Sequence, residues 1–201
     1  MSACTSRVSI AVVVCALLSA GRVFAAGSAD AGKVKFAACA ACHGQHPTSA
    51  GKANHAPKIG GQYAEYMVAS LQAFAAGQRK HGTAPTTALS VQDMRDLAAY
   101  ASKSAAPPVP HAVKGDTAAG KSKAEACAGC HGAGGKGDDP DTPRLAGQSE
   151  AYLIASLTAF KSGARKDDTM TAIAKELSLQ DLRNLAAYFA AQHAGLGGVK
   201  P

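Results

Sequence analysis

Cys39-Ala40-Ala41-Cys42-His43 recurs, with one substitution, as Cys127-Ala128-Gly129-Cys130-His131. The pattern C-x-x-C-H is that of a c-type haem attachment site. Two thiols must reach two vinyl groups on one edge of the same macrocycle, and two intervening residues in a turn of helix set that separation. The adjacent histidine then comes under the iron and offers a proximal nitrogen. Cys39, Cys42, Cys127 and Cys130 are therefore read as covalent anchors of two haem c groups, with His43 and His131 as axial iron ligands. Other uses of paired cysteines fit less well. The two pairs lie 88 residues apart, which is an unusual separation for one shared zinc site. A thioredoxin-like dithiol needs alternating strands and helices, and the hydrophobic pattern lacks them.

The repeat extends far beyond these motifs. Pro57, Gly61-Gln62 and Tyr66 match Pro143, Gly147-Gln148 and Tyr152. Ala69-Ser70-Leu71, Ala73-Phe74 and Arg79-Lys80 match Ala155-Ser156-Leu157, Ala159-Phe160 and Arg165-Lys166. Gln92-Asp93 and Leu97-Ala98-Ala99-Tyr100 match Gln180-Asp181 and Leu185-Ala186-Ala187-Tyr188. The offset is 88 at Cys39, 86 at Pro57 and 88 again at Asp93, so the first copy has two extra residues before Pro57 and two fewer after Arg79. Both changes fall in expected loops, where length varies readily. The Pro-rich run Ser104 to His111 reads as a semi-rigid spacer. This predicts one domain over 26–103, a connection over 104–113 and a second domain over 114–201. Each half is small enough to have a marginal core of its own, and a covalently held haem supplies an apolar body to pack against.

The N-terminus predicts export. Arg7 precedes an apolar run from Val8 to Leu18, too short for a membrane span, and Val23-Phe24-Ala25 offers a small-residue cleavage site. Cleavage after Ala25 removes a signal peptide of residues 1–25. It leaves about 175 residues and only the four motif cysteines. The expected compartment is the bacterial periplasm, where haem is attached to thiols. Losing Arg7 and Arg22 lowers the net charge from +7 to +5, and haem carboxylates bring the loaded protein closer to neutral. With no dense Lys/Arg run and few aromatics between the charges, nucleic acid is not an expected partner. Lys33, Lys35, Lys52, Lys58, Lys121 and Lys123 flank the motifs. They read either as a solvated face or as a weak docking surface for acidic redox proteins.

The periodicity is helical throughout and predicts an all-α fold. Asp30 is read as the cap of a helix over Ala31–Cys39. Tyr63–Ala76 places Tyr63, Met67, Ser70, Leu71 and Phe74 on one stripe, with Gly77 as a stop. Ser90 and Asp93 frame a capping box that opens a helix from Val91 to Ser102. The second half repeats this with a helix over Ser149–Lys161 before Gly163. Ser178 and Asp181 open another that runs to about Gln192. Gly132 to Gly137 follows a haem motif rather than a strand, so it is not read as a phosphate cradle.

A thioether as sixth ligand raises a haem's potential and suits electron transfer. Beyond the leader the methionines are Met67, Met94 and Met170. Met170 lies 39 residues after His131, in a stretch read as a loop, and is the candidate sixth ligand of the second haem. Met67 and Met94 match Leu153 and Leu182 on apolar stripes, so core packing is the expected role. The first half has Ala84 where the second has Met170. His81, in the same shortened loop, is the candidate there. An open coordination position, or recruitment of Met67, His46 or His55, are the alternatives.

These features together resemble the dihaem cytochrome c4 family over nearly all of the chain after the leader. The motifs carrying the resemblance are the two C-x-x-C-H sites, the duplicated halves, Pro57 to Gln62 with Pro143 to Gln148, and the closing Gln-Asp…Ala-Ala-Tyr helices. The resemblance implies two class I cytochrome c domains facing each other and His/Met ligation at both irons. It also implies electron shuttling in the periplasm toward a terminal oxidase. Implied partners are a donor such as a cytochrome bc1-type complex or a dehydrogenase, an oxidase as acceptor, and the membrane surface as a peripheral contact. His131 with Met170 follows this pattern, whereas His43 with Ala84 departs from it. Outer-sphere electron transfer needs no proton-transfer constellation, and none stands at motif spacing, so an electron carrier rather than an enzyme is expected. The competing expectations are a first haem open to small ligands or catalysis, and an electron-accepting subunit of a periplasmic dehydrogenase.

Overall fold

The computed structural model describes residues 26–44, 47, 56–80, 88–104, 113–192 and 196. The expected leader and its cleavage site, His46, Lys52, His55, His81, Ala84 and most of the Pro-rich connection lie outside the described residues.

Every regular element among the described residues is helical. None of these helices is long and apolar enough to cross a membrane. The first half has α1 (Ala29–Phe36), α2 (Ala40–His43), α3 (Ala64–Ala75) and α4 (Val91–Lys103). The second has α5 (Thr117–Ala124), α6 (Ala128–His131), α7 (Glu150–Ser162), α8 (Asp168–Glu176) and α9 (Leu179–Ala190).

Local chemistry explains most boundaries. Ser90 Oγ accepts from Asp93 N at 3.1 Å while Asp93 accepts from Ser90 N at 2.9 Å. Ser178 and Asp181 make the same reciprocal pair at 3.1 and 3.0 Å. Two orphan donors are satisfied at the start of each closing helix. Gly163 ends α7 in the left-handed conformation at φ 75°, which costs glycine little. Two expectations need correction. The cap of α1 is Ser28 rather than Asp30, because its hydroxyl accepts from Ala31 N while Asp96 holds its own N–H at 2.8 Å. The helix therefore starts at Ala29 and ends at Phe36, and Cys39 instead precedes the separate turn α2. Met170 lies in the first turn of α8 and not in a loop, because Asp167 caps that helix by accepting from Met170 N at 2.8 Å.

In each half the opening helix crosses the closing one, α1 on α4 and α5 on α9. Glycine makes both crossings. A Cβ on Gly32 would sit 1.9 Å from the Asp96 carbonyl oxygen, and one on Gly120 would sit 2.0 Å from that of Asn184. Phe36 then stacks on Tyr100 with ring centroids 5.5 Å apart. The cores mix alanines with a few large side chains. Met67, Ala98 and Ala101 form that of the first half, and Ala124, Leu153, Leu185, Ala186 and Phe189 that of the second.

Candidate haem centres and the seam between the halves

Each C-x-x-C-H motif forms a single helical turn. His43 N bonds back to Cys39 O at 3.0 Å, and the chain leaves the turn at Gly44 with φ 87°. The second turn leaves at Gly132 with φ 72°. Cys39 and Cys127 are half-buried, whereas Cys42 and Cys130 are exposed. Burial first, and the neighbouring motif cysteine second, push the Cys39 and Cys127 thiols up.

His43 and His131 are both 7% exposed. Nδ1 of His43 lies 3.0 Å from the Pro57 carbonyl oxygen, and Nδ1 of His131 lies 2.8 Å from that of Pro143. Burial pushes both imidazoles below their usual range and outweighs the opposing effect of the proline carbonyls. A neutral ring facing a carbonyl must carry its proton on Nδ1, since the carbonyl can only accept. The lone pair is thereby assigned to Nε2, the nitrogen that would bind iron. Two thiols in one turn beside such an imidazole form a donor set that fits a covalently bound haem. Arg144 Nε, beside Pro143, is a buried nitrogen without a hydrogen-bond partner among the described residues. A carboxylate such as haem carries is the kind of acceptor that would complete it.

The loops holding the two prolines are themselves clamped. Ile59 N and Gly60 N donate to Pro47 O at 3.1 and 2.8 Å, and Gly61 N donates to Ala101 O at 2.9 Å. In the second half Leu145 N and Ala146 N donate to Gly135 O at 2.8 and 2.9 Å, and Gly147 N donates to Phe189 O at 2.8 Å. The histidine-orienting carbonyl is thus fixed to the end of the closing helix.

The same loops form the seam between the halves, with near two-fold reciprocity. Gln148 accepts from Lys58 N at 2.9 Å and donates to Lys58 O at 2.8 Å. Gln62 accepts from Arg144 N at 3.0 Å and donates to Arg144 O at 3.0 Å. Lys58 Nζ reaches Gly147 O at 2.8 Å, and an Arg144 guanidinium nitrogen reaches Gly61 O at 2.9 Å. Arg79 lies over Phe74 and donates to Ser70 and, across the seam, to Tyr152 at 2.5 Å. Arg165 lies over Phe160 and donates to Ser156 and, across the seam, to Tyr66 at 2.8 Å.

Several residues singled out in the sequence land elsewhere than expected. Lys58 is not part of an exposed docking face: it is 7% exposed and sealed in the seam. Lys35 is committed to Asp93 and Asp96. Lys33, Lys121 and Lys123 are exposed, and Lys123 also pairs with Asp181 at 3.2 Å. Met67 and Met94 are buried at 8% and 4% exposure, whereas Met170 is half-buried. Ser70 and Phe74, expected on a core stripe, support Arg79. The seam residues Gln62, Gln148, Arg79, Arg165, Tyr66 and Tyr152 were visible in the sequence only as matches between the halves. The available signal was polar identity outside the haem motifs. A polar side chain kept in both copies has a job common to both, and what the copies share is each other.

A family model described as Cytochrome c matches the chain twice, over residues 29–104 and 117–192. Cytochrome c4 of Pseudomonas aeruginosa is 46% identical over 87 residues, which span only 43% of either chain. Cytochrome c4 of Stutzerimonas stutzeri is 34% identical over 199 residues, covering 86% of this chain and 93% of that one. The thiosulfate dehydrogenase electron acceptor of Thiomonas intermedia is 32% identical, covering 89% of this chain and 90% of its own. A solved thiosulfate dehydrogenase from Marichromatium purpuratum superposes with a TM-score of 0.76 at 30% identity, over 83% of this chain and 40% of the larger one. Matched by the family model in both halves and aligned with a cytochrome c4 over most of its length, this all-α chain belongs to the cytochrome c family, as a dihaem electron carrier of the cytochrome c4 type with two covalently bound haem c groups.

Proposed function

We propose that this protein is a periplasmic carrier in a respiratory chain. In this reading, residues 1–25 direct export. Domains over 26–103 and 114–201, joined through 104–113, take electrons from a bc1-type complex or a dehydrogenase and deliver them toward a terminal oxidase. The observation that carries the reading is the duplicated placement of a buried histidine on a proline carbonyl, His43 on Pro57 and His131 on Pro143.

The bound haem supplies a one-electron iron couple, and the chain does the rest. Cys39, Cys42, Cys127 and Cys130 anchor it. His43 and His131 supply the proximal nitrogens, and their proline carbonyls hold each ring in one orientation. Met170 would supply the sixth ligand in the second half, and Asp167 fixes its backbone through the cap of α8. His81 would take that place in the first half, where the sequence has Ala84 in place of the methionine. A thioether on the second site alone makes its potential the higher of the two. Because the loops carrying Pro57 and Pro143 are tied to their closing helices, little rearrangement of the proximal side accompanies a change of charge.

A second reading has specific support in the thiosulfate dehydrogenase relatives. In it, the donor is a periplasmic dehydrogenase that this chain serves as electron acceptor. Stopped-flow mixing separates the two. The respiratory reading expects the reduced holoprotein to be oxidised rapidly by oxidase-containing membranes. Reduction by thiosulfate and a thiosulfate dehydrogenase, with no oxidation by those membranes, favours the second. Carbon monoxide is expected to leave both reduced haems unchanged. A spectral shift at the first haem would replace His81 with an open coordination position.

A further inference from the structure

The oxygen that orients each proximal histidine and the N–H gripped from the opposite half are two ends of one peptide group. Pro57 O faces His43 Nδ1 at 3.0 Å, and Lys58 N, across the same peptide bond, donates to Gln148 Oε1 at 2.9 Å. In the second half Pro143 O faces His131 Nδ1 at 2.8 Å, and Arg144 N donates to Gln62 Oε1 at 3.0 Å. Both glutamines are sealed from water, Gln62 at 6% and Gln148 at 3% exposure. Each also donates its amide N–H back to the residue it grips, which fixes its orientation.

We propose that each half tunes the proximal histidine of the other through this shared peptide group, with Gln148 acting on the first haem and Gln62 on the second. The proposal rests on His43 and His131 being the proximal ligands. A peptide N–H that donates a hydrogen bond leaves its own carbonyl a stronger acceptor, by about 10–30% per bond in a low-dielectric chain. A stronger acceptor at Nδ1–H makes the imidazole a stronger electron donor at Nε2. The oxidised iron is stabilised and the potential falls. The effect is crossed, because the acceptor for each proximal peptide comes from the other domain. Gln62 and Gln148 are positioning residues, since neither is placed to touch iron.

The test uses the holoprotein, with the two potentials measured separately and the proximal histidine signals of each haem followed by paramagnetic NMR. Gln148→Leu is expected to raise the potential of the first haem, anchored at Cys39 and Cys42, and to shift the ring signals of His43. The second haem stays unchanged. Gln62→Leu is expected to do the reverse. The expected size is a roughly three- to tenfold change in the reduction equilibrium, about 30 to 60 mV at 59 mV per tenfold. Gln148→Glu keeps an oxygen facing Lys58 N and is expected to hold the first potential at or below its original value. Tyr152→Phe loosens the same seam without touching either peptide group and serves as the control. A shift at the haem in the substituted domain, equal shifts at both, no shift, or the same response from Tyr152→Phe overturns the proposal. Absence of His43 and His131 ligand signals in the unsubstituted protein overturns the ligand assignment beneath it.

Discussion

Arg165 donates a 2.8 Å hydrogen bond to the hydroxyl of Tyr66, 99 residues away in sequence and in the opposite half of the molecule. Burial alone would push the Tyr66 phenol up, but the Arg165 and Arg79 guanidiniums outweigh it and hold the phenol below its usual value. Arg79 and Tyr152 repeat the arrangement in the other direction. Tyr66→Phe removes an acceptor from a largely buried cation. It is expected to destabilise the holoprotein by roughly 1.5–3 kcal/mol, the range for hydrogen bonds to charged groups. Equilibrium guanidinium unfolding checks this, and a loss below about 0.5 kcal/mol would place the bond among exposed, weak pairs.

The acid response is expected to differ between the halves. Lys35 bridges Asp93 at 2.7 Å and Asp96 at 2.5 Å. The Lys35 ammonium, followed by Ser90, holds the Asp93 carboxyl down at about 2 against its usual 3.8. Lys35, followed by Ser28 N–H and Gln92, lowers Asp96 as well. A carboxyl depressed in the folded state contributes stability above its unfolded value and loses it as pH falls through the folded one. The first half should therefore lose this support between pH 3.8 and about 2. The second half has Asn184 in place of Asp96, and among the described residues Lys123 pairs with Asp181 alone. Melting curves across this window should fall less steeply for Asp96→Asn than for the unsubstituted protein. Equal slopes would remove the bridge from the account.

The helix crossings tolerate no added carbon. Gly120→Ala puts a Cβ against the Asn184 carbonyl, where only 2.0 Å is available. Backbone cannot yield as a flexible side chain does, so the expected loss is about 3 kcal/mol or more, at the upper end for overpacking. Gly129→Ala, in the second haem turn and with open space around its Cβ, is the matched control. Thermal unfolding should lower the midpoint markedly for the first and little for the second.

Met170→Leu keeps the volume and removes the sulfur. It is expected to abolish the thioether-to-iron band of the ferric protein and to lower the potential of the second haem only. Retention of the band in that variant would assign the ligand elsewhere.

What the sequence disclosed and what it hid follow from the range of the interactions. The haem turns, both capping boxes and the Gly163 stop are local, so residues within a few positions of one another decide them. The Ser28 cap is hidden from a local reading because its N–H is held by Asp96, 68 residues away. Met170 looks like a loop residue in the sequence because the Asp167 cap precedes a helix of only nine residues, too short for a clear stripe. Lys58 looks like an exposed cation in the sequence because nothing near it announces Gln148 or Gly147, its partners in the other half. The duplication pointed to a shared surface without revealing that the proximal loops form it.

The central claim is a chain with two haems that share an architecture and differ in their sixth ligand. Potentiometric titration of the holoprotein, followed through its ferric absorption spectrum, tests it most directly. The account predicts two haems per chain and two one-electron steps. It also predicts a single methionine-to-iron band that disappears with the higher-potential step. One haem per chain, or two bands of equal strength vanishing in one step, would contradict it.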